Sequence, residues 1–190
     1  MIIGIDIDNT LVNTAESVVD YINKRLPIKL DINNINQYWI ENSLPEQYRW
    51  IVKTAFTDSS MWKNVRMIPD SAKFVEKLYA DGNDIYFVTS SLPENTKKKI
   101  NHLSRNLPFL TREFIQNRTI NINNKQLLSL DILIDDCLDN LLGERSYISI
   151  CLAYPWNNHA DEDKFYRVGS WKEIYETYVY IKEVLYCDGD

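Results

Sequence analysis

Close to its start the chain carries Asp6-Ile7-Asp8-Asn9-Thr10, two carboxylates one residue apart where the apolar run 2–7 gives way to a polar loop. Two acids held that close repel each other and lose hydration unless a cation holds them, and a hard divalent ion with oxygen ligands, Mg²⁺ above all, suits the role. A second pair, Asp135-Asp136, follows the apolar run Ile132–Ile134. Thr89-Ser90-Ser91 closes the run Ile85–Val88, and its hydroxyls, next to a helix start near Pro93-Glu94, offer donors for a phosphate. Lys125 stands in a loop ahead of the second acidic pair. Singly, each has an ordinary reading: an acidic turn, a first-turn Asp patch, a Ser/Thr N-cap, a solvated lysine. Together they reinforce one another, because two acidic pairs brought side by side by adjacent strands are strongly unfavourable without a metal.

The elements that would position these residues are legible from periodicity. Runs at 2–7, Ile85–Val88, Ile132–Ile134 and Tyr147–Ala153 read as short buried strands, with Arg118–Ile122 a weaker one. Residues 70–81 show Ala72, Val75, Leu78 and Tyr79 on one helical face, with Asp70 or Ser71 as N-cap and Gly82 as the stop. Residues 94–104 and 171–185 also read as helices, and the tail from Tyr178 to Asp190 as a closing helix with a frayed acidic end. Strands alternating with helices predict a parallel sheet covered on both faces, an α/β fold.

More than seventy residues separate the first strand from Ile85, far beyond one crossover. Helical patterns at 14–26 and 45–57 and the aromatics Tyr38, Trp39, Tyr48, Trp50, Phe56 and Trp62 predict a small helical insertion there. The expected division is a core of residues 1–13 and 67–190 with an inserted unit at 14–66.

The 190 residues are 45% apolar and 25% charged, an ordinary globular composition that excludes a disordered or collagenous chain. No apolar run has the length of a membrane span, and the charged MIIGIDID start does not read as a signal peptide. Three unclustered cysteines, Cys137, Cys151 and Cys187, suit a reducing cytoplasm rather than a disulfide framework or zinc site. A net charge of −6 argues against a nucleic-acid-polymer partner. His102 and His159 lack ligand spacing and read as solvated or locally hydrogen-bonded.

Taken in order, the strand-ending D-x-D-x-T, the strand-ending Thr89, Lys125 and the strand-ending Asp135-Asp136 resemble the haloacid dehalogenase (HAD) superfamily of phosphohydrolases. The resemblance implies a Rossmann-like sheet with the first strand central, flanked by the Thr89 strand and the Asp135-Asp136 strand. It implies that the insertion is a C1-type cap. It also implies Asp6 as nucleophile, Asp8 as general acid/base, Thr89 and Lys125 as phosphoryl ligands, and Mg²⁺ held by Asp6, the main-chain carbonyl of Asp8, and Asp135 with Asp136. Which of those last two is the inner ligand stays open, with Asp136 favoured. Asn9 stands where many relatives have Gly. Asp8 favours phosphate esters over halides, since a leaving alkoxide needs a proton and a leaving halide does not.

Further details resemble the 5′(3′)-deoxyribonucleotidase (cytosolic type C 5′-nucleotidase) family: the G-I-D-I-D opening, Trp62-x-x-Val65-x-x-Ile68-Pro69, Val88-Thr89-Ser90, Leu133-Ile134-Asp135-Asp136, and Arg167-Val168-x-x-Trp171-x-x-Ile174. What this implies is a cytoplasmic, Mg²⁺-dependent phosphomonoesterase acting on nucleoside monophosphates, deoxyribonucleotides foremost. The base would stack on Trp62, with Trp39 and Tyr38 behind it, and Ser90 and one of Lys97, Lys98 or Lys99 would assist at the phosphate. A homodimer is possible, and no membrane partner is expected. The alternative substrate is another small phosphorylated metabolite such as a sugar phosphate. A receiver-like signalling module or a non-catalytic relative fits the order and completeness of the motifs less well.

Overall fold

A computed structural model describes residues 1–142, 147–159 and 162–186. Six parallel strands form one sheet: β1 Ile2–Asp6, β2 Asp84–Thr89, β3 Thr119–Asn121, β4 Ile132–Asp135, β5 Ile148–Leu152 and β6 Tyr166–Val168, in the spatial order β3-β2-β1-β4-β5-β6. β1 is central because its apolar run is buried on both faces. A Cβ at Gly4 would meet Leu130 Cδ1 at 2.6 Å, so any larger residue there requires the Leu130 side chain to shift. Alternate residues of β4 enter two separate apolar clusters. Ile132 and Ile134 join the large core with Ile3 and Ile5, and Leu133 joins a smaller one with Leu141 and Phe165. The period-two alternation of a strand thus covers both faces of the sheet.

The helices are α1 Thr14–Asn23, α2 Trp50–Thr57, α3 Ser59–Asn64, α4 Ser71–Ala80, α5 Pro93–Asn106, α6 Arg112–Asn117, α7 Leu138–Leu141 and α8 Trp171–Tyr186. The first three lie in the long interval after β1, where α1 packs on α2 and α3. The chain leaves and returns there side by side: the Asn13 amide donates to Arg66 O at 2.9 Å, and the Ile68 amide to Leu11 O at 2.8 Å. No helix among the described residues is long and apolar enough to cross a membrane.

Several local expectations differ from the structure. α1 stops at Asn23 rather than residue 26, because the Asn23 side chain accepts from Leu30 N at 2.7 Å and donates to Leu30 O at 2.9 Å, folding the chain back past Pro27. The pattern at 45–57 splits into a 3₁₀ turn, Glu46–Tyr48, and α2. Asp70 precedes α4 without capping it through its side chain; it takes a left-handed φ of 62° instead. α6 and β6 carry no strong periodic signal and were not expected. His102 is buried, not solvated, whereas His159 is exposed. Cys187 and the end of the acidic tail lie outside the described residues.

Candidate active site

Strand register alone assembles the site. Asp6 is opposite Val88 on β2, so Thr89 follows one residue further along, and Ile5 is opposite Ile134 on β4, which sets Asp135 beside Asp6. These positions share the carboxyl edge of the sheet, where open α/β folds bind ligands. Asp6, Thr89, Lys125, Asp135 and Asp136 are all buried there.

Lys125 begins a short 3₁₀ turn, Lys125–Leu127, that delivers its stem into the sheet edge rather than to solvent. Its ammonium is hydrogen-bonded to Asp6 Oδ1 and, at 2.7 Å, to Asp135 Oδ2. Burial pulls the Lys125 pKa down, but the Asp135 and Asp6 carboxylates outweigh it and hold the group well above its ordinary value. Burial, opposed by Lys125 and aided by Asp135 and Asp8, pushes Asp6 up to about 7. Burial and the Asp135 and Asp6 charges likewise raise Asp136 well above the carboxylate range.

Asp6, Asp135 and Asp136 each offer a carboxylate oxygen, all within 4.8 Å of one another. One ammonium does not neutralise three buried carboxylates, and an all-oxygen donor set suits a hard divalent cation, so these residues fit the ion the sequence implies. The two neighbouring acids are not equivalent. Asp135 accepts from Lys125, from Asn140 Nδ2 at 3.0 Å and from the Cys137 amide at 2.9 Å, which occupies both its oxygens. Asp136 accepts from Trp156 Nε1 at 3.0 Å and Asn9 Nδ2 at 3.4 Å, both on Oδ2, leaving Oδ1 without a donor among the described residues.

The Asp8 carboxylate stands apart from this cluster. Its Oδ1 accepts from Thr14 Oγ1 at 2.7 Å and its Oδ2 pairs with Lys99. Lys99 Nζ also donates to Thr89 Oγ1 at 2.7 Å. The sequence left three lysines open as the one that reaches inward, and the structure brings in Lys99. The signal was present: Asn95, Lys99, His102 and Leu103 form the buried stripe of α5, whereas Lys97 is exposed and Lys98 bonds to Phe56 O and Thr57 O. The sequence marks Asn9 only as a departure from Gly. Its φ of 55° is the left-handed region that Gly or Asn tolerates, and its side chain ties the first motif to Asp136 and to the Ala15 amide at 2.8 Å.

A cavity of ≈ 530 Å³ opens beside Asp8 and Lys99, walled by Tyr38, Trp39 and Phe56 from the insertion and by Ser90 from the sheet edge. Tyr38 and Trp39 meet edge to face with ring centroids 5.2 Å apart, and Trp39 is 59% exposed. Tyr38 is 38% exposed as a residue, but desolvation of its hydroxyl end, then the Asp136 and Cys137 groups, push the phenol well above its ordinary pKa. Ser90 Oγ donates to Asn123 Oδ1 at 2.8 Å. Trp62 is not in this wall, contrary to expectation. It is 6% exposed and its Nε1 donates to Phe56 O at 2.8 Å, a satisfied core tryptophan that borders a separate groove with Lys63 and Arg105.

The family model for 5′ nucleotidase, deoxy (pyrimidine), cytosolic type C protein matches residues 1–184. The chain is 26% identical over 178 residues to a 5′(3′)-deoxyribonucleotidase of Bacillus subtilis, covering 91% of this chain and 95% of the relative, and equally to one of Bacillus phage SPbeta. Among solved structures it resembles a HAD family hydrolase from Deinococcus radiodurans (TM-score 0.57, 12% identity, 94% of this chain and 95% of that one). A haloacid dehalogenase-like hydrolase from Xanthomonas campestris is similar to the same degree (TM-score 0.57, 15% identity, 95% of each chain). With a HAD fold, a buried acidic cluster at its ligand-binding edge and a family match along nearly its whole length, the chain belongs to the cytosolic type C 5′-nucleotidases, phosphatases that hydrolyse phosphomonoesters.

Proposed function

We propose that this chain is a Mg²⁺-dependent 5′-nucleotidase that dephosphorylates nucleoside monophosphates, deoxyribonucleotides foremost, through an aspartyl-phosphate on Asp6. The observation that carries this reading is the adjacency of two features. One is the buried Asp6, Asp135 and Asp136 cluster with its Lys125, and the other is a cavity faced by Tyr38 and Trp39, wide enough for a nucleoside and open beside Asp8.

In the first displacement a carboxylate oxygen of Asp6 attacks phosphorus, the ester P–O bond breaks, and Asp8 gives its proton to the leaving nucleoside oxygen. In the second, Asp8 takes a proton from water, the water oxygen attacks phosphorus, and Asp6 leaves as a carboxylate with inorganic phosphate released. Lys125 and Lys99 place ammonium charge against phosphoryl oxygens, and Thr89 contributes a hydroxyl. Asp6, Asp136 and the main-chain carbonyl of Asp8 would hold Mg²⁺, which supplies charge neutralisation at the phosphoryl group when bound. Asp135, with both oxygens engaged, orients Lys125.

Residues 14–66 act in this reading as a cap, and the paired neck at Asn13 and Arg66 supports that division. Tyr38 and Trp39 replace Trp62 as the faces for the base; stacking on an aromatic contributes about 1–3 kcal/mol. The test is phosphate release with Mg²⁺ across deoxynucleoside, ribonucleoside and sugar monophosphates. Deoxynucleoside monophosphates are expected to give the highest kcat/KM, and turnover confined to sugar phosphates would overturn the substrate assignment.

A further inference from the structure

Beyond the acids themselves, the turn after β5 is built onto Asp136. Trp156 is 4% exposed and its Nε1–H donates to Asp136 Oδ2 at 3.0 Å. The Tyr154 ring stacks on the Trp156 ring, centroids 4.3 Å apart and planes 6° from parallel, so the indole has little freedom to turn. Asn157 is fully buried and every polar valence of its amide is used. Nδ2 donates to Asp136 O at 2.9 Å and Leu152 O at 2.8 Å, and Oδ1 accepts from the Tyr154 amide at 2.9 Å and Arg167 at 3.3 Å. The main chain of Asp136 and one of its two carboxylate oxygens are therefore both held from the turn after β5, and the carboxylate can rotate only by breaking the indole bond and the longer Asn9 contact.

We propose that Trp156, braced by Tyr154 and Asn157, is a positioning residue that sets the divalent-ion affinity of this protein by locking Asp136 with Oδ1 free. The proposal rests on the metal-dependent reading above. A carboxylate anchored on one oxygen presents the other without losing rotational freedom on binding, and outer-shell partners of this kind typically change metal affinity by about 10–100-fold. Nothing about the fold itself requires the N–H here, since the stack on Tyr154 is available to any aromatic ring.

The test is calorimetric titration of the substrate-free full chain with Mg²⁺ and with Mn²⁺. Trp156→Phe keeps a ring against Tyr154 and removes the donor; its affinity for both ions is expected to fall about 10–100-fold while the chelator-treated protein remains folded. Tyr154→Leu, which keeps the indole N–H and removes its brace, is expected to shift affinity in the same direction by a smaller factor, and it carries the test should Trp156→Phe not fold. A folded variant that binds Mg²⁺ as tightly as wild type overturns the proposal and leaves the nucleotidase reading intact. A wild-type chain that binds neither ion overturns the metal-dependent reading as well.

Discussion

Asp135 and Asp136 are neighbours in the chain with opposite hydrogen-bonding states: both oxygens of the first are occupied by Lys125, Asn140 and the Cys137 amide, and one oxygen of the second has no donor among the described residues. Asp136→Asn is therefore expected to lower Mg²⁺ affinity by more than about 100-fold, beyond what an outer-shell change does. Asp135→Asn is expected to cost about 1.5–3 kcal/mol of stability, the worth of hydrogen bonds to a charged group, with the smaller effect on the ion. Titration calorimetry and thermal unfolding of the two variants check the division; equal losses of affinity would contradict it.

Lys99 bridges Asp8 and Thr89 from the buried stripe of α5. Replacing a charged donor aimed at transition-state charge typically costs about 10²–10³-fold, so Lys99→Met is expected to lower kcat/KM by that order. Lys97→Met, on the exposed side of the same helix, is expected to leave it unchanged. Steady-state kinetics with a deoxynucleoside 5′-monophosphate decides between them.

In the proposed reading, Trp39 and Trp62 separate binding from folding. Trp39→Ala is expected to raise KM by about 5–150-fold, the equivalent of 1–3 kcal/mol of stacking, with kcat retained. Trp62→Ala removes a buried side chain and is expected to destabilise by about 3–5 kcal/mol, a fall in Tm of about 6–20 °C, with the KM of the folded protein unchanged. The reverse pattern would return the base to Trp62.

His102 is 7% exposed, its Nε2 has no hydrogen-bond partner among the described residues, and burial together with Arg105 lowers its pKa below the ordinary 6.5. The folded state thus binds fewer protons at this site than the unfolded chain. The stability it contributes is present above pH 6.5 and is lost as pH falls from there through the lowered folded value. Asp6, raised to about 7, works in the opposite direction: its contribution grows as pH falls through 7. The His102 part is isolated by comparing chelator-treated wild type with His102→Leu. Between pH 7 and 5.5 the wild type is expected to lose more stability than the variant, and parallel curves would contradict the assignment.

Much of this site is legible in the sequence. Asp6, Thr89, Asp135 and Asp136 each end an apolar run, and parallel register converts strand ends into neighbours whatever the intervening chain does. What stayed hidden depended on direction rather than position. Trp62 and Trp39 are the same residue type on one insertion. Trp62 is buried with its indole satisfied by the Phe56 carbonyl, whereas Trp39 stays exposed on the cavity wall. The clamp on Asp136 joins Trp156 and Asn157 to a residue about twenty positions earlier through side-chain geometry, which leaves no period in the sequence. Lys99 was recoverable, because a lysine in register with Asn95 and Leu103 on a buried stripe needs a polar partner.

In the proposed mechanism the phosphoryl group passes covalently through Asp6. Acid-quenching the Mg²⁺-loaded enzyme during turnover of a ³²P-labelled deoxynucleoside 5′-monophosphate, then mapping the labelled peptide, measures it directly. The expected result is label on the peptide that contains Asp6 and none on the Asp6→Asn variant. Turnover by wild type with no label on that peptide, or full activity in the variant, would contradict the account.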